Sequence, residues 1–290
     1  MEIKHIAFRQ GRLSSFLKQE MGMSTGLVNR LKWQEKILVN GVPRHNDYTV
    51  EPGDVITAML DEPVPEYPAE DGPLSVLYED EHILAVDKPA GVLIHPSRAT
   101  MTGTLANRVL AHYEKSGQKS AFHPLTRLDR DTFGVVLLAK NAHIQALLGQ
   151  TKVEKTYHAL VWGVPELVEG SIDAPIARRP LPSLLRYVNQ EGKPSLTRYK
   201  VLESREGISR LALQPVTGRT HQLRVHCAYM GWPILGDPQY CSAGSREASE
   251  RLGLTSQLLC AKRLEFTHPI TGEELRLESK LDAGEWIIEN

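Results

Sequence analysis

The sequence predicts an α+β fold: a largely antiparallel sheet with packed helices, preceded by a small α/β domain. Two observations carry the sheet. Strand-like segments follow one another at hairpin-length connections through most of the chain, and helical segments between them are few. A third observation divides the chain. Residues 61–73, DEPVPEYPAEDGP, hold four prolines and five acids and no base. Proline stiffens such a segment and like charges extend it, so it reads as a linker between a small domain, 1–60, and a large one, 74–290.

In the small unit, GRLSSFLKQEMG reads as a short helix closed by Gly22. Ser24 or Thr25 caps a second helix, TGLVNRLKWQEK, with Leu27, Val28 and Leu31 on one face. Asn40-Gly41 signals a tight hairpin turn, and Pro52-Gly53 a second turn. In the large unit, SVLYED and HILAVDKP read as strands around a turn at Asp80-Glu81. GTLANRVLAHYEK reads as a helix, FGVVLLAK as a buried strand, and Asn141 as the cap of AHIQALLGQ. KTYHALVWG, SLTRYKVLES, SRLALQPV, AKRLEFTHP and EELRLES are strand-like. THQLRVHCAYMG reads as a helix with Thr220 as its cap, Gly231 just past its end, and Leu223, Cys227 and Met230 buried.

Composition narrows the function classes. Apolar residues make up 41% and charged residues 24%, which is ordinary globular usage. No apolar run is long enough to span a membrane, and MEIKHIAFRQ lacks the apolar core of a secretory signal. Cys227, Cys241 and Cys260 are odd in number and widely spaced, which fits neither a disulfide framework nor a zinc pattern. The cytoplasm is the expected location. The net charge of -1 hides segregation: Arg9, Arg12, Lys18, Arg30, Lys32, Lys36 and Arg44 face only Glu20 and Glu35 across that stretch. Such a basic end suits phosphates, although charge alone fits a solvated helix face equally well.

Three segments carry candidate chemistry. HPLTRLDRDTFGVVLLAK sets Arg127, Asp129, Arg130 and Asp131 against an apolar strand. Asp129 and Asp131 share a face if extended, but no further ligands stand out and no metal is expected. The knot reads either as a salt-bridged loop or as a carboxylate kept ionised by arginines for use as nucleophile or base. In VTGRTHQLRVHCAYMG, the turn at Gly218-Arg219 opens a helix, and His221 and Arg224 share one face. That face is either a cationic wall for a phosphate or an exposed polar surface, and His226 reads as a packed histidine. In KTYHALVWG, Tyr157 lies two residues after Lys155 on one strand face, as a core ring or as a platform for a base.

Together, DKPAGVLIHP, RLDRDTFGVVLLAKN, KTYHALVWG, GRTHQLRVHCAYMGWPILGDPQY and LCAKRLEFTHP resemble the RluA-type RNA pseudouridine synthases, from about Leu77 to the C-terminus. The resemblance implies that Asp129 attacks the target uridine, whose base detaches, turns over and rejoins through carbon 5. It implies that Arg127 fills the space left by the flipped base, that Tyr157 lies under the base, and that Arg224 pairs with Asp129. No cofactor or metal is implied, because product and substrate are isomers. Two positions depart from the family's usual residues: Thr126 stands for a histidine and Phe133 for a serine.

GRLSSFLKQ, TGLVNRLKWQEKILVNG and YTVEPGDVI resemble a small RNA-binding module found in a small-subunit ribosomal protein, tyrosyl-tRNA synthetases and several RNA-modifying enzymes. The expected RNA contacts are Arg12, Arg30, Lys32, Arg44 and Arg219. The expected partner is RNA, ribosomal in preference to transfer RNA, bound by a monomer. The rivals are a catalytically silent RNA-binding protein of the same fold and, more distantly, a metal-dependent hydrolase.

Overall fold

A computed structural model describes residues 2–60, 67–97, 99–118 and 120–283. Residues 2–60 form β1 (Glu2–Ile6), β2 (Gly11–Arg12), α1 (Leu13–Ser15, running on as a π-helical turn over Phe16–Glu20), α2 (Thr25–Trp33), β3 (Ile37–Val39), β4 (Val42–Pro43), β5 (Thr49–Val50) and β6 (Val55–Met59). Ser24 supplies the α2 cap, its hydroxyl accepting the Leu27 N–H at 3.2 Å. Asn40 and Gly41 both take positive φ, 51° and 79°, as the mirror-image turn between β3 and β4 requires. Phe16, Leu17, Val28, Leu31, Ile37 and Ile56 are buried in a core made entirely within this segment. β1 was not anticipated. It pairs along its whole length with β6 and completes a sheet of order β1-β6-β3-β4.

The remainder runs β7 (Ser75–Glu79), β8 (Ile83–Lys88), α3 (Leu105–Lys115), β9 (His123–Pro124), β10 (Phe133–Ala139), α4 (Ala142–Leu148), β11 (Glu154–Trp162), β12 (Glu169–Asp173), β13 (Ile176–Arg178), β14 (Arg186–Val188), β15 (Leu196–Arg205), β16 (Ile208–Pro215), α5 (Gln222–Tyr229), α6 (Ala243–Arg251), β17 (Leu259–Thr267) and β18 (Glu274–Glu278). The main sheet has the order β12-β15-β16-β11-β17-β10-β8-β7, with β18 beside β17 and β9 beside β10. Its ladders among the described residues are antiparallel except β10 on β17, which is parallel and short.

β10 explains its own continuous apolar run. Val136 and Leu138 face the core that includes Leu105, Val109 and Tyr113 of α3, while Val135 and Leu137 face Ile144 and Leu148 of α4. A strand covered on both faces has no polar side to alternate with. Gly134, second in β10, has φ +106°, and a Cβ there would collide with the Ala261 carbonyl of β17. Only glycine allows the two strands to approach so closely.

The linker stretch divides at its middle, since residues 61–66 lie outside the described residues. The rest lies along α3: Asn107 Nδ2 donates to the Pro68 carbonyl at 2.7 Å, and Lys115 pairs with Asp71 at 2.6 Å. Two details of α5 differ from expectation. The helix starts one residue later, so His221 and not Thr220 occupies the cap, with a left-handed backbone and no side-chain capping bond. Met230 lies past the end of α5 and is exposed, because the chain turns outward there at Gly231. His226 is buried as a packed histidine, bonded to Thr197 Oγ1 and the Ala174 carbonyl at 2.9 Å each. No described helix is long and apolar enough to cross a membrane.

Candidate active site

Asp129 sits in the loop between β9 and β10, which is held from two sides. Thr126 is buried and its hydroxyl accepts the Leu137 N–H at 3.1 Å, tying the loop to the β10 backbone. Lys88, at the end of β8, is fully buried, and its ammonium donates to the carbonyls of Pro89, Val92 and Arg130 at 2.9, 2.8 and 2.8 Å. Burial pulls the Lys88 pKa down to about 8, partly offset by the nearby charges of Asp131 and Asp129. The position where a histidine was expected therefore serves as a loop anchor. The other departure, Phe133, is half-buried and packs on the cluster of Leu160 and Cys260.

The four charges of the loop separate. Arg130 grips Asp131 through Nε and Nη2 at 3.0 and 3.2 Å. Arg127 is exposed and makes no hydrogen bond or ion pair with another described residue. Asp129 turns inward, where Oδ2 accepts from Arg224 Nη1 at 3.0 Å. Arg224 comes from α5, and its other nitrogens are already committed. Nε and Nη2 donate to the two carboxylate oxygens of Asp237 at 2.7 and 2.8 Å, and Nη2 also reaches Gln239 Oε1 at 2.9 Å. Burial opposes this cation, but the bonds and charge of Asp237, with Asp129 adding, outweigh it and raise the Arg224 pKa. The guanidinium also lies 4.9 Å over the Tyr240 ring.

Tyr157 enters from β11. The ladder with β17 slips at Thr156/Tyr157, and the bulge sets the ring against the site. Burial, with the charge of Asp129 adding, pushes the phenol pKa up, so Tyr157 stays neutral. His221 Nε2 stands 3.8 Å from Asp129 Oδ2, and its Nδ1 is 2.9 Å from the Tyr240 hydroxyl. Gln222 locks the preceding turn, accepting from Arg219 N at 3.0 Å and donating to the Leu196 carbonyl at 3.0 Å.

These groups border one cavity of about 740 Å³, lined by Arg127, Asp129, Lys155, Tyr157, Arg219, His221 and Arg224 among others. Four cations around one carboxylate make a local field that a chain of net charge -1 does not advertise. Of the residues expected to act, Asp129, Arg127, Tyr157, Arg224 and Arg219 converge here. Arg12, Arg30, Lys32 and Arg44 do not line this cavity. Arg30 borders a smaller one of about 190 Å³ with Ser24, Leu27, Ala142 and His143, Arg44 stacks on Tyr48 at 4.7 Å, and Lys32 lies over Trp33 at 5.6 Å. Lys88, Asp237 and Tyr240 lie within DKPAGVLIHP and GDPQY, and nothing in their spacing shows that they stand behind the Asp129 loop and Arg224.

The arrangement can hold a flat polar ring on Tyr157, neutralise phosphates at the rim and present a carboxylate of fixed direction. Residues 82–229 match the family model described as RNA pseudouridylate synthase. The chain is 36% identical over 269 residues to a protein named as an uncharacterized RNA pseudouridine synthase in Bacillus subtilis (strain 168), covering 90% of this chain and 93% of the relative. It is 35% identical over 271 residues to the ribosomal large subunit pseudouridine synthase D of Pasteurella multocida, covering 87% and 83%. Among solved structures, human RNA pseudouridylate synthase domain containing 1 superposes with a TM-score of 0.59 at 27% identity, covering 73% of this chain and 85% of that one. The fold, the site and these likenesses agree: the chain belongs to the RNA pseudouridylate synthase family and is an enzyme of that class.

Proposed function

We propose that Asp129 is the nucleophile in the isomerisation of uridine to pseudouridine, acting on a base flipped out of structured RNA. In the net reaction the bond from N1 to the ribose breaks, a bond from C5 to the ribose forms, the C5 proton leaves and N1 gains a proton. Atoms balance without a redox partner. Arg127, exposed at the rim, takes the place of the extruded base, since unstacking costs a few kcal/mol that a substitute offsets. Tyr157 supports the base, and Arg224 fixes and neutralises the carboxylate. One observation carries this reading: the chain Asp129–Arg224–Asp237 runs from the cavity into the protein, and a pure RNA binder has no use for a carboxylate braced in this way.

Ribosomal RNA is the proposed substrate, supported by relatives named as ribosomal large subunit synthases. We assign residues 1–60 to an RNA-binding domain, using Arg12, Arg30, Lys32 and Arg44, and 74–290 to the catalytic domain. The separate core of the first segment supports that division. The enzyme is proposed to act as a cytoplasmic monomer. The test is Asp129→Asn, assayed by pseudouridine mapping across total RNA from cells complemented with either form. The variant is expected to bind RNA and leave its target uridine unmodified. Wild-type modification by Asp129→Asn would remove the nucleophile assignment.

A further inference from the structure

The Asp129 carboxylate is under-determined by Arg224 alone. Nε and Nη2 of that arginine are occupied by Asp237 and Gln239, so a single bond, from Nη1, reaches Asp129. One bond fixes a point and leaves rotation about it free. The Asp129 side chain is 31% exposed, so packing does not supply the missing restraint. A second donor is needed to set the plane.

His221 stands where that donor would be, with Nε2 at 3.8 Å from the same oxygen. Its backbone is left-handed, φ +57° and ψ 19°, a conformation that a residue with a Cβ adopts sparingly and that recurs at functional positions. The Tyr240 hydroxyl accepts the Arg186 N–H of β14 at 2.9 Å, which directs the Tyr240 proton toward His221 Nδ1, also at 2.9 Å. With Nδ1 accepting, the imidazole proton sits on Nε2, the nitrogen nearer Asp129, which at 3.8 Å must close by a few tenths of an ångström to donate to Oδ2. The Tyr240 ring meets His221 edge-on at 5.7 Å and lies beneath Arg224. One tyrosine thus seats both donors.

We propose that His221 is a positioning residue that orients the Asp129 carboxylate through Nε2–H, and that Tyr240 fixes the tautomer it needs. The proposal rests on the reading of Asp129 as nucleophile. The charged groups around the ring are Asp129, Arg224, Arg186 and Asp237; burial, reinforced by the two arginines and opposed by the two aspartates, holds His221 below the ordinary histidine range and therefore neutral at neutral pH.

The experiment uses the full-length protein and ribosomal RNA transcribed in vitro with tritium at uridine C5, reading tritium release in single turnover. His221→Leu is expected to slow the step by about 10- to 100-fold, the scale of a misaligned reacting group, with RNA affinity unchanged. His221→Gln, whose amide N–H can replace Nε2–H, is expected to recover most of the rate. Tyr240→Phe releases the tautomer, so its rate is expected to rise relative to wild type as pH falls through the histidine titration, where both ring nitrogens become donors. His221→Leu at the wild-type rate overturns the proposal. So does equal loss in His221→Leu and His221→Gln with weakened RNA binding, which marks a merely structural role, or a Tyr240→Phe profile parallel to wild type. Asp129→Asn in the same assay separates the two readings, because its survival at full rate removes the nucleophile itself.

Discussion

Replacing Asp237 with Asn asks whether Arg224 is held from behind or from in front. Behind it, side-chain exposure is 5% for Arg224 and 0% for Asp237, and two bonds of 2.7 and 2.8 Å join them. Removing one partner of such a buried pair costs about 3–5 kcal/mol. Asn keeps the shape and one accepting oxygen, and Gln239 remains, so the lower end, about 3 kcal/mol, is expected. In front, Asp129 is 31% exposed and takes one bond from the arginine. An ion pair open to water contributes at most about 1 kcal/mol, so Asp129→Asn should leave stability nearly unchanged while abolishing the reaction. Urea unfolding of the two variants, followed by circular dichroism, compares them directly, and a double-mutant cycle with Arg224→Met isolates the coupling to Asp237. If Asp237→Asn costs no more than Asp129→Asn, Arg224 is not anchored from behind and the bracing argument fails.

Thr126→Val keeps the shape of the loop anchor but strips the buried Leu137 N–H of its acceptor; a loss of about 1–3 kcal/mol in urea unfolding is expected, and none would show the bond to be idle. Burial opposes the charge of Glu79, yet bonds from Lys140, Gln118 and His112 hold its carboxyl at about 2, below its ordinary 4.5. A depressed carboxylate stabilises the fold above its unfolded pKa and loses that contribution as pH falls through the folded one. The full shift corresponds to about 3 kcal/mol, and partial exposure reduces it to about 1–2 kcal/mol, lost from about pH 5 down to about pH 2. Glu79→Gln should flatten that part of the stability curve, and an unchanged curve would contradict the assignment. Changing Arg12, Arg30, Lys32 and Arg44 together to Ala should reduce the slope of log affinity against log salt by about 3, and an unaltered slope would show that these four side chains do not meet phosphates.

Periodicity and turn chemistry made much of the fold legible. The Asn40-Gly41 hairpin and the Ser24 and Asn141 caps are local effects of side chains on their own backbone, and the unbroken apolar run of β10 marks a strand covered on both faces. What escaped the sequence is non-local or conformational. β1 gains its identity from β6, about fifty positions away along the chain. The left-handed His221 displaces Thr220 as the cap because the turn is set by Gln222 reaching Leu196, a contact between distant segments. At the site, Asp129, Arg127, Tyr157 and Arg224 came through resemblance, whereas their supports Lys88, Asp237 and Tyr240 required geometry. A charged residue that will be buried looks on paper like one that will be solvated.

The order of strands at the centre of the sheet has a consequence for synthesis. The aspartate loop feeds β10 and the tyrosine rides on β11, but β17 lies between those two strands. Its pairings with both run through Cys260 and Ala261, well downstream of either strand. A ribosome making this enzyme has added Asp129, Tyr157 and Arg224 before β17, the strand that brings the first two together. Between the synthesis of Arg224 and that of β17, a nascent chain therefore carries all three side chains without the strand that seats Asp129 beside Tyr157.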